Sequence, residues 1–252
     1  MLIDRCSFLT RRIKCCIIGM PEDTGKVTLT LLGGAMVSAT VEHYLKGIYE
    51  LAREDQPVSL SSLAEELAIS PVSANEMVKK LVKRGLVTYK RYSGVRLTPE
   101  GRARALAVTR RHRLWERLLT DVLGLDWDRV YEEACRLEHA TSPLVEERLA
   151  EFLGWPETCP HGHPVPTSEG EVAREVGAPL SKMGPGTRGI VLSLPEEEPE
   201  LLQYLGGLGL VPETEVEIED VAPFDGPLTV RVGDAQRIVG RKVASQVNVR
   251  PL

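Results

Sequence analysis

"SLSSLAEELAISPVSANEMVKKLVKRGLVTYKRYSGVRLT", residues 59–98, decides the fold. Its opening run, "SLSSLAEELAIS", predicts a short helix with Ser61 or Ser62 as N-cap and Glu65 within capping-box reach. A break at Ile69–Ser70–Pro71 follows. "VSANEMVKKLVKRG" then turns Val78, Leu81 and Val82 inward and stops at Gly85. Two helices joined by so short a turn make a helix-turn-helix. "LVTYKRYSGVRLT" reads as two short strands about a Ser93–Gly94 turn, which completes a winged helix.

Working outward, residues 39–53 place Val41, Tyr44, Leu45, Ile48 and Leu51 on one helical stripe. Thr98–Pro99–Glu100 opens a long helix that runs to Gly124. Asp126 can cap the next helix, which carries "ACRLEHATSP" (134–143), and Ser142–Pro143 starts another ending near Gly154. Proline and glycine are dense from "PETCPHGHPVPTSEGE" onward. Beyond them, β-rich runs alternate with turns around one short helix, "PELLQYLGGLG". The expected chain is mainly α with a C-terminal all-β module. It comprises a winged helix (36–108), a helical segment (109–155), a linker (156–179) and a small β-barrel (180–252).

The first 35 residues lack this periodicity, and their apolar run "CCIIGM" is too short for a signal peptide. "LGGAM" (32–36) would encode a purine-rich stretch just ahead of Met36, as a ribosome-binding site does. Met36 is therefore expected to be the true start, with 1–35 a mis-called extension; a disordered tail is the alternative.

At 42% hydrophobic and 27% charged, the 252 residues have the composition of a soluble globular protein. No apolar run is long enough to span a bilayer. Five scattered cysteines, an odd number, argue for the reducing cytoplasm. The net charge of −5 is unevenly spread. Pro71–Arg113 holds twelve Lys/Arg against two Glu, whereas 180–252 holds seven against eleven Asp/Glu. A basic segment lying over a helix-turn-helix in an acidic chain is the electrostatic footprint of a double-stranded DNA binder.

On the second helix of that motif, Ser70 can cap and meet a phosphate. Val72, Ser73, Asn75 and Glu76 fall where side chains reach base edges. Lys79, Lys80, Lys90 and Arg91 are placed for phosphates.

Cys135, Glu138 and His139, at i, i+3 and i+4, share one helical face within reach of one divalent ion. His112 and Glu116 repeat the i, i+4 spacing one helix earlier, and His43 lies on the first helix. Cys159, His161 and His163 in "CPHGHP" read as a structural turn rather than a metal site.

With "YLKGIYEL" (44–51), "RRHRLWERLLTDVLGL" (110–125), "EACRLEH" (133–139), "GTRGIVLSL" and "VEIEDV", the chain resembles the diphtheria toxin repressor family of metal-dependent regulators. The resemblance implies a winged-helix DNA-binding domain (36–108), a helical metal-binding and dimerisation domain (109–155), an SH3-like C-terminal barrel, and a homodimer on a palindromic operator. It implies a primary metal site of His43, Cys135, Glu138 and His139, with His43 where iron-type members have methionine. It also implies an ancillary site of His112 and Glu116, whose third helical ligand, commonly histidine in iron-type members, falls on Tyr131, a poor donor. Glu196 in "PEEEPE" is a further donor candidate. Thiolate beside carboxylate and imidazole suits Fe2+, and His43 reopens Mn2+. Two other readings compete: a winged-helix regulator with a merely structural cluster, and a zinc hydrolase built on Cys-x-x-Glu-His.

Overall fold

The computed structural model describes residues 38–52, 56–174 and 176–252. The 1–35 extension and the expected start at Met36 lie outside the described residues. The chain divides into two compact units, one ending at Thr109 and one running from Arg110 to Leu252.

In the first unit, helix α1 (Ala39–Leu51) buries Val41, Tyr44, Leu45 and Ile48, the stripe read from the sequence. Helix α2 (Leu60–Glu66) begins one turn earlier than the serine run suggested. Ser59 is its cap and accepts the Ser62 N–H, while Ser61 and Ser62 stand exposed in the first turn. Three serines in four residues make the choice ambiguous in sequence; burial of Leu63 and Leu67 resolves it. Helix α3 (Pro71–Lys83) is capped by Ser70 and buries Ala74, Val78 and Leu81. Val82, expected inside, is 42% exposed. Gly85 ends the helix at φ +71°, a backbone favourable only to glycine. Strands β1 (Val87–Lys90) and β2 (Gly94–Leu97) pair antiparallel to form the wing.

Helix α4 (Pro99–Arg117) starts against that wing. The Thr98 hydroxyl faces the carbonyls of Gly85 and Leu86 and accepts the Gly101 N–H at 3.1 Å. A Cβ on Gly101 would stand 1.9 Å from the Leu86 carbonyl oxygen, an impossible contact with backbone that cannot swing away. Gly101→Ala is therefore expected to destabilise the first unit by about 2–3 kcal/mol, the cost of forced overpacking. Urea unfolding checks this, and a change below about 0.5 kcal/mol would show the junction to be pliable.

In the second unit α4 ends in a π-helical turn, Leu118–Val122, instead of running regularly to Gly124. Helix α5 (Val130–Glu138) follows a turn in which the Asp126 carbonyl, not its side chain, accepts from Arg129 N–H. Helix α6 (Pro143–Phe152) is capped by Ser142 as expected.

The C-terminal module comprises β3 (Ala178–Pro179), β4 (Arg188–Ser193), β5 (Glu215–Val221), β6 (Leu228–Val232), β7 (Ala235–Val239) and β8 (Asn248–Pro251). These form one six-stranded antiparallel sheet in the order β3-β8-β4-β5-β6-β7, bulged near Leu192 and Glu219. Helix α7 (Pro199–Leu208) sends Leu202 and Leu205 into the sheet's core beside Val191, Ile218 and Val230.

Residues 156–167, expected to begin a linker, are held against α4. Arg110 donates to the Pro166 carbonyl (2.6 Å), Arg113 to that of Pro164 and Arg117 to that of Thr158 (2.6 Å). Proline and glycine density marked the absence of helix and strand here. It carried no information on whether the segment was anchored.

Candidate metal centres and nucleic-acid interface

Among the described residues, two groups of largely buried donors meet in the second unit. Within each, one donor atom per residue lies within 4.8 Å of all the others. The first joins His112 of α4 to Cys135 and Glu138 of α5. His112 Nδ1 is 2.7 Å from Glu138 Oε2 and 3.9 Å from Cys135 Sγ. His139, at the C-cap of α5, brings Nε2 within 3.1 Å of Glu138 Oε1. The i, i+3, i+4 reading of Cys135, Glu138 and His139 thus corresponds to real proximity between Glu138 and its two companions.

The second group comprises Glu116, Cys159, His161 and Glu196. It bears on two expectations. The "CPHGHP" turn is a turn, closed by Cys159 N–H to the His163 carbonyl (2.8 Å) and by Gly162 at φ +90°. The same turn also presents donors. His161 Nδ1 is 3.2 Å from Glu116 Oε1, and Cys159 Sγ is 3.9 Å from Glu196 Oε2. His112 is therefore not simply Glu116's partner in an ancillary site. Its Nε2 lies 3.4 Å from Glu116 Oε1 while its Nδ1 belongs to the first group, so one imidazole touches both. Cys159 and His161, read from the sequence as parts of a structural turn, meet Glu116 and Glu196 here. A cysteine followed closely by two of the chain's five histidines was the available signal.

The electrostatics suit a cation. Burial pushes Glu116 up, yet the imidazoles of His112 and His161 outweigh it and hold its carboxyl well below the usual range. Burial opposes the charge on His161, but Glu116 wins and raises it above the ordinary histidine value. Burial, with Glu116 and Glu196 beside it, pushes the Cys159 thiol well up. For Glu196, burial and Glu116 push up, and His163, Arg113 and His112 more than compensate, leaving it lowered. A buried carboxylate needs favourable partners to offset its desolvation, and the imidazoles of His112 and His161 face Glu116 here. A divalent ion would supply positive charge, displacing protons from His161 and Cys159.

The donor chemistry fits such an ion. His112, Glu116, Glu138 and His161 have no exposed surface, and each group mixes imidazole, carboxylate and thiol. Tyr131 lies beside the first group. Its ring meets His112 edge-on at 4.8 Å and its hydroxyl donates to Glu197 (3.3 Å). His43 lies half-buried on α1 in the first unit.

On the DNA side, Ser70, Val72, Ser73, Glu76, Lys79 and Lys80 are exposed along α3, and Val72 is 73% exposed. Asn75 is half-buried. Ser70 Oγ accepts from Ser73 N–H at 3.0 Å, and Glu76 pairs with Lys79 at 2.8 Å. That ion pair lowers the Glu76 pKa. Lys90 and Arg91 are exposed on the wing, where Arg91 stacks over Tyr92.

A winged helix followed by a helical unit with buried His/Cys/Glu groups defines a DNA-binding regulator that answers to metal. The comparisons agree element by element. Residues 36–95 match the N-terminal DNA-binding domain of the iron-dependent repressors, and 98–167 their metal-binding and dimerisation domain. Residues 178–251 match the FeoA domain. The iron-dependent repressor IdeR of Mycobacterium leprae is 34% identical over 222 residues, spanning 83% of this chain and 96% of that protein. The diphtheria toxin repressor of Corynebacterium efficiens is 45% identical over 127 residues, half of this chain and 55% of that one. A manganese-dependent transcriptional repressor solved with manganese superposes with a TM-score of 0.79 at 33% identity, covering 84% of this chain and all of that one. The chain belongs to the diphtheria toxin repressor family of iron- and manganese-dependent transcriptional repressors.

Proposed function

We propose that the protein is a cytoplasmic, homodimeric repressor of metal-ion homeostasis whose operator binding is switched on by Fe2+ or Mn2+. The observation that carries the reading is the pair of largely buried donor groups in the second unit, in a chain whose first unit is a basic winged helix. His43, Cys135, Glu138 and His139 would hold the activating ion, with His112 against Glu138. Glu116, Cys159, His161 and Glu196 would hold a second. A bound dication supplies concentrated positive charge that draws carboxylate, thiolate and imidazole donors together. His43 stands on the helix that opens the DNA-binding unit. Its coupling to α5 would restrict the recognition helices of the dimer to the spacing of a palindromic operator, a population shift toward the binding-competent arrangement.

Leu144, Val145, Phe152 and Trp155 expose an apolar surface on and just after α6, within the segment matched to the dimerisation domain. That supports self-association. No helix among the described residues is long and apolar enough to cross a membrane. The hydrolase reading falls, because the family consists of repressors. The test is anaerobic titration of Fe2+ and Mn2+ against binding to metal-uptake promoters and the protein's own upstream region. Operator binding unchanged by a chelator would favour a merely structural cluster.

Lys79 and Lys80 would contact phosphate. Alanine at either should weaken specific and nonspecific DNA alike and flatten the dependence of log K on log salt by about one charge. Asn75→Ala should instead relax one base position, by about 1–3 kcal/mol, and leave the salt slope alone. Binding across single-base operator variants at several salt concentrations separates the two. Loss confined to one base position in the lysine variants would show that they read sequence.

A further inference from the structure

Glu116 is flanked on α4 by Arg113 and Arg117, which stand at i and i+4 and so share one side of the helix. Arg117 Nε donates to the Thr158 carbonyl at 2.6 Å, and its Nη2 to Thr158 Oγ1 at 3.2 Å. Arg113 Nη1 donates to the Pro164 carbonyl. Thr158 and Pro164 face each other in an isolated antiparallel bridge. Between them lies the loop Cys159–His163. A single turn of α4 thus presents Glu116 and clamps both ends of the loop that delivers Cys159 and His161 to it.

The clamp suits its task. A guanidinium is a planar fork with fixed donor directions, and a charged donor bonds a carbonyl more strongly than a neutral one. The far side of the loop is fixed as well. Leu194 N–H donates to the His161 carbonyl at 3.0 Å, and a Cβ on Gly162 would lie 1.8 Å from the Leu192 carbonyl oxygen. His161 Nε2 meets the Trp127 carbonyl at 2.8 Å. The loop has little freedom except along α4, where the two arginines set its position.

We propose that Arg113 and Arg117 are positioning residues of the second donor group: by holding Thr158 and Pro164 they fix Cys159 Sγ and His161 Nδ1 opposite Glu116. The inference rests on the reading of Glu116, Cys159, His161 and Glu196 as a metal site. Neither arginine is a ligand, since a guanidinium offers no lone pair to a cation. Their positional effect reaches the ion through the loop, beside which the charge of Arg113 also lowers Glu196.

Arg117 is the residue to test, because its side chain is 27% exposed and Arg113 is buried. Wild type, Arg117→Ala, Arg117→Lys and Cys159→Ala, all in the full chain, would be titrated anaerobically with Co2+. Stoichiometry, affinity and thiolate-to-Co2+ absorption are read, alongside thermal melting. The wild type is expected to bind an ion at each of the two donor groups. Cys159→Ala should lose the second ion and its share of the thiolate absorption. Arg117→Ala keeps every ligand, yet should bind that ion about tenfold or more weakly, the worth of a charged hydrogen bond. Its second-ion spectrum should be altered, while the first ion and the melting temperature hold. Arg117→Lys should recover part of the affinity, because an ammonium can replace one of the donated bonds.

Wild-type affinity and spectrum for the second ion in Arg117→Ala, with that ion lost in Cys159→Ala, would overturn the proposal and leave the metal site standing. Retention of the second ion in Cys159→Ala would remove the site itself and the proposal with it. If Arg117→Ala fails to fold, Arg117→Lys decides: weakened second-ion binding with native melting supports the clamp, and undiminished binding overturns it.

Discussion

His43→Ala is expected to drop metal-activated operator binding to the nonspecific level, about a thousandfold or more. The dimer and the buried groups of the second unit should remain intact. The reason is positional: His43 is carried by α1, whereas Cys135, Glu138 and His139 belong to α5 and its C-cap. On the proposed bridging, an ion could still enter the second unit without the imidazole but would have no hold on the DNA-binding unit. His43→Met should restore activation and tilt the preference toward Fe2+, since thioether is softer than imidazole. Cys135→Glu should tilt it toward Mn2+. Operator affinity against free Fe2+ and Mn2+ for the four proteins is the measurement. Full activation of His43→Ala would take His43 out of the site and end the bridging mechanism.

Glu138→Gln should be as damaging to the response and nearly harmless to the fold. The carboxylate is fully buried, with one oxygen 2.7 Å from His112 and the other 3.1 Å from His139. An amide keeps the shape and loses the charge, and its nitrogen cannot donate an electron pair to an ion. Metal-dependent DNA binding should disappear. Metal-free stability should hold or rise by about 1 kcal/mol, because a buried carboxylate carries a desolvation cost that its partners only partly offset. Unfolding with and without Mn2+ reads both effects. If the metal-free protein collapses, Glu138 is chiefly a structural partner of the two histidines. If it stays stable and still responds to metal, it is no ligand.

The winged helix was legible because its signals are local. Ser70 before Pro71, the Val78/Leu81 spacing and Gly85 at the stop each act within a turn or two, and the structure places each where expected. Errors crept in where local signals were degenerate, as in the serine run before α2, or where a residue sits at the edge of a stripe, as Val82 does. Cys135, Glu138 and His139 were readable for the same reason: helical periodicity puts them side by side. Glu116, His161 and Glu196 were each named from the sequence, but their meeting was not readable. They come from a helix, an irregular loop and the approach to α7, and only the packing of those three elements brings them together. Periodicity is silent about such encounters. Composition, which did suggest that proline and glycine mark a break, could not reveal that Arg110, Arg113 and Arg117 fasten the segment down.

Tyr131 stands where the family resemblance leads one to expect histidine, its ring edge-on to His112 and its hydroxyl on Glu197. Tyrosine and histidine codons differ by a single pyrimidine exchange at the first base. A lone transition at position 131 would therefore set another imidazole beside His112 and, in the same stroke, cut the hydrogen bond to Glu197. In a lineage under changing metal supply, appetite for a further nitrogen donor and the grip of α5 on the β-module would be inherited as one trait, unable to drift apart.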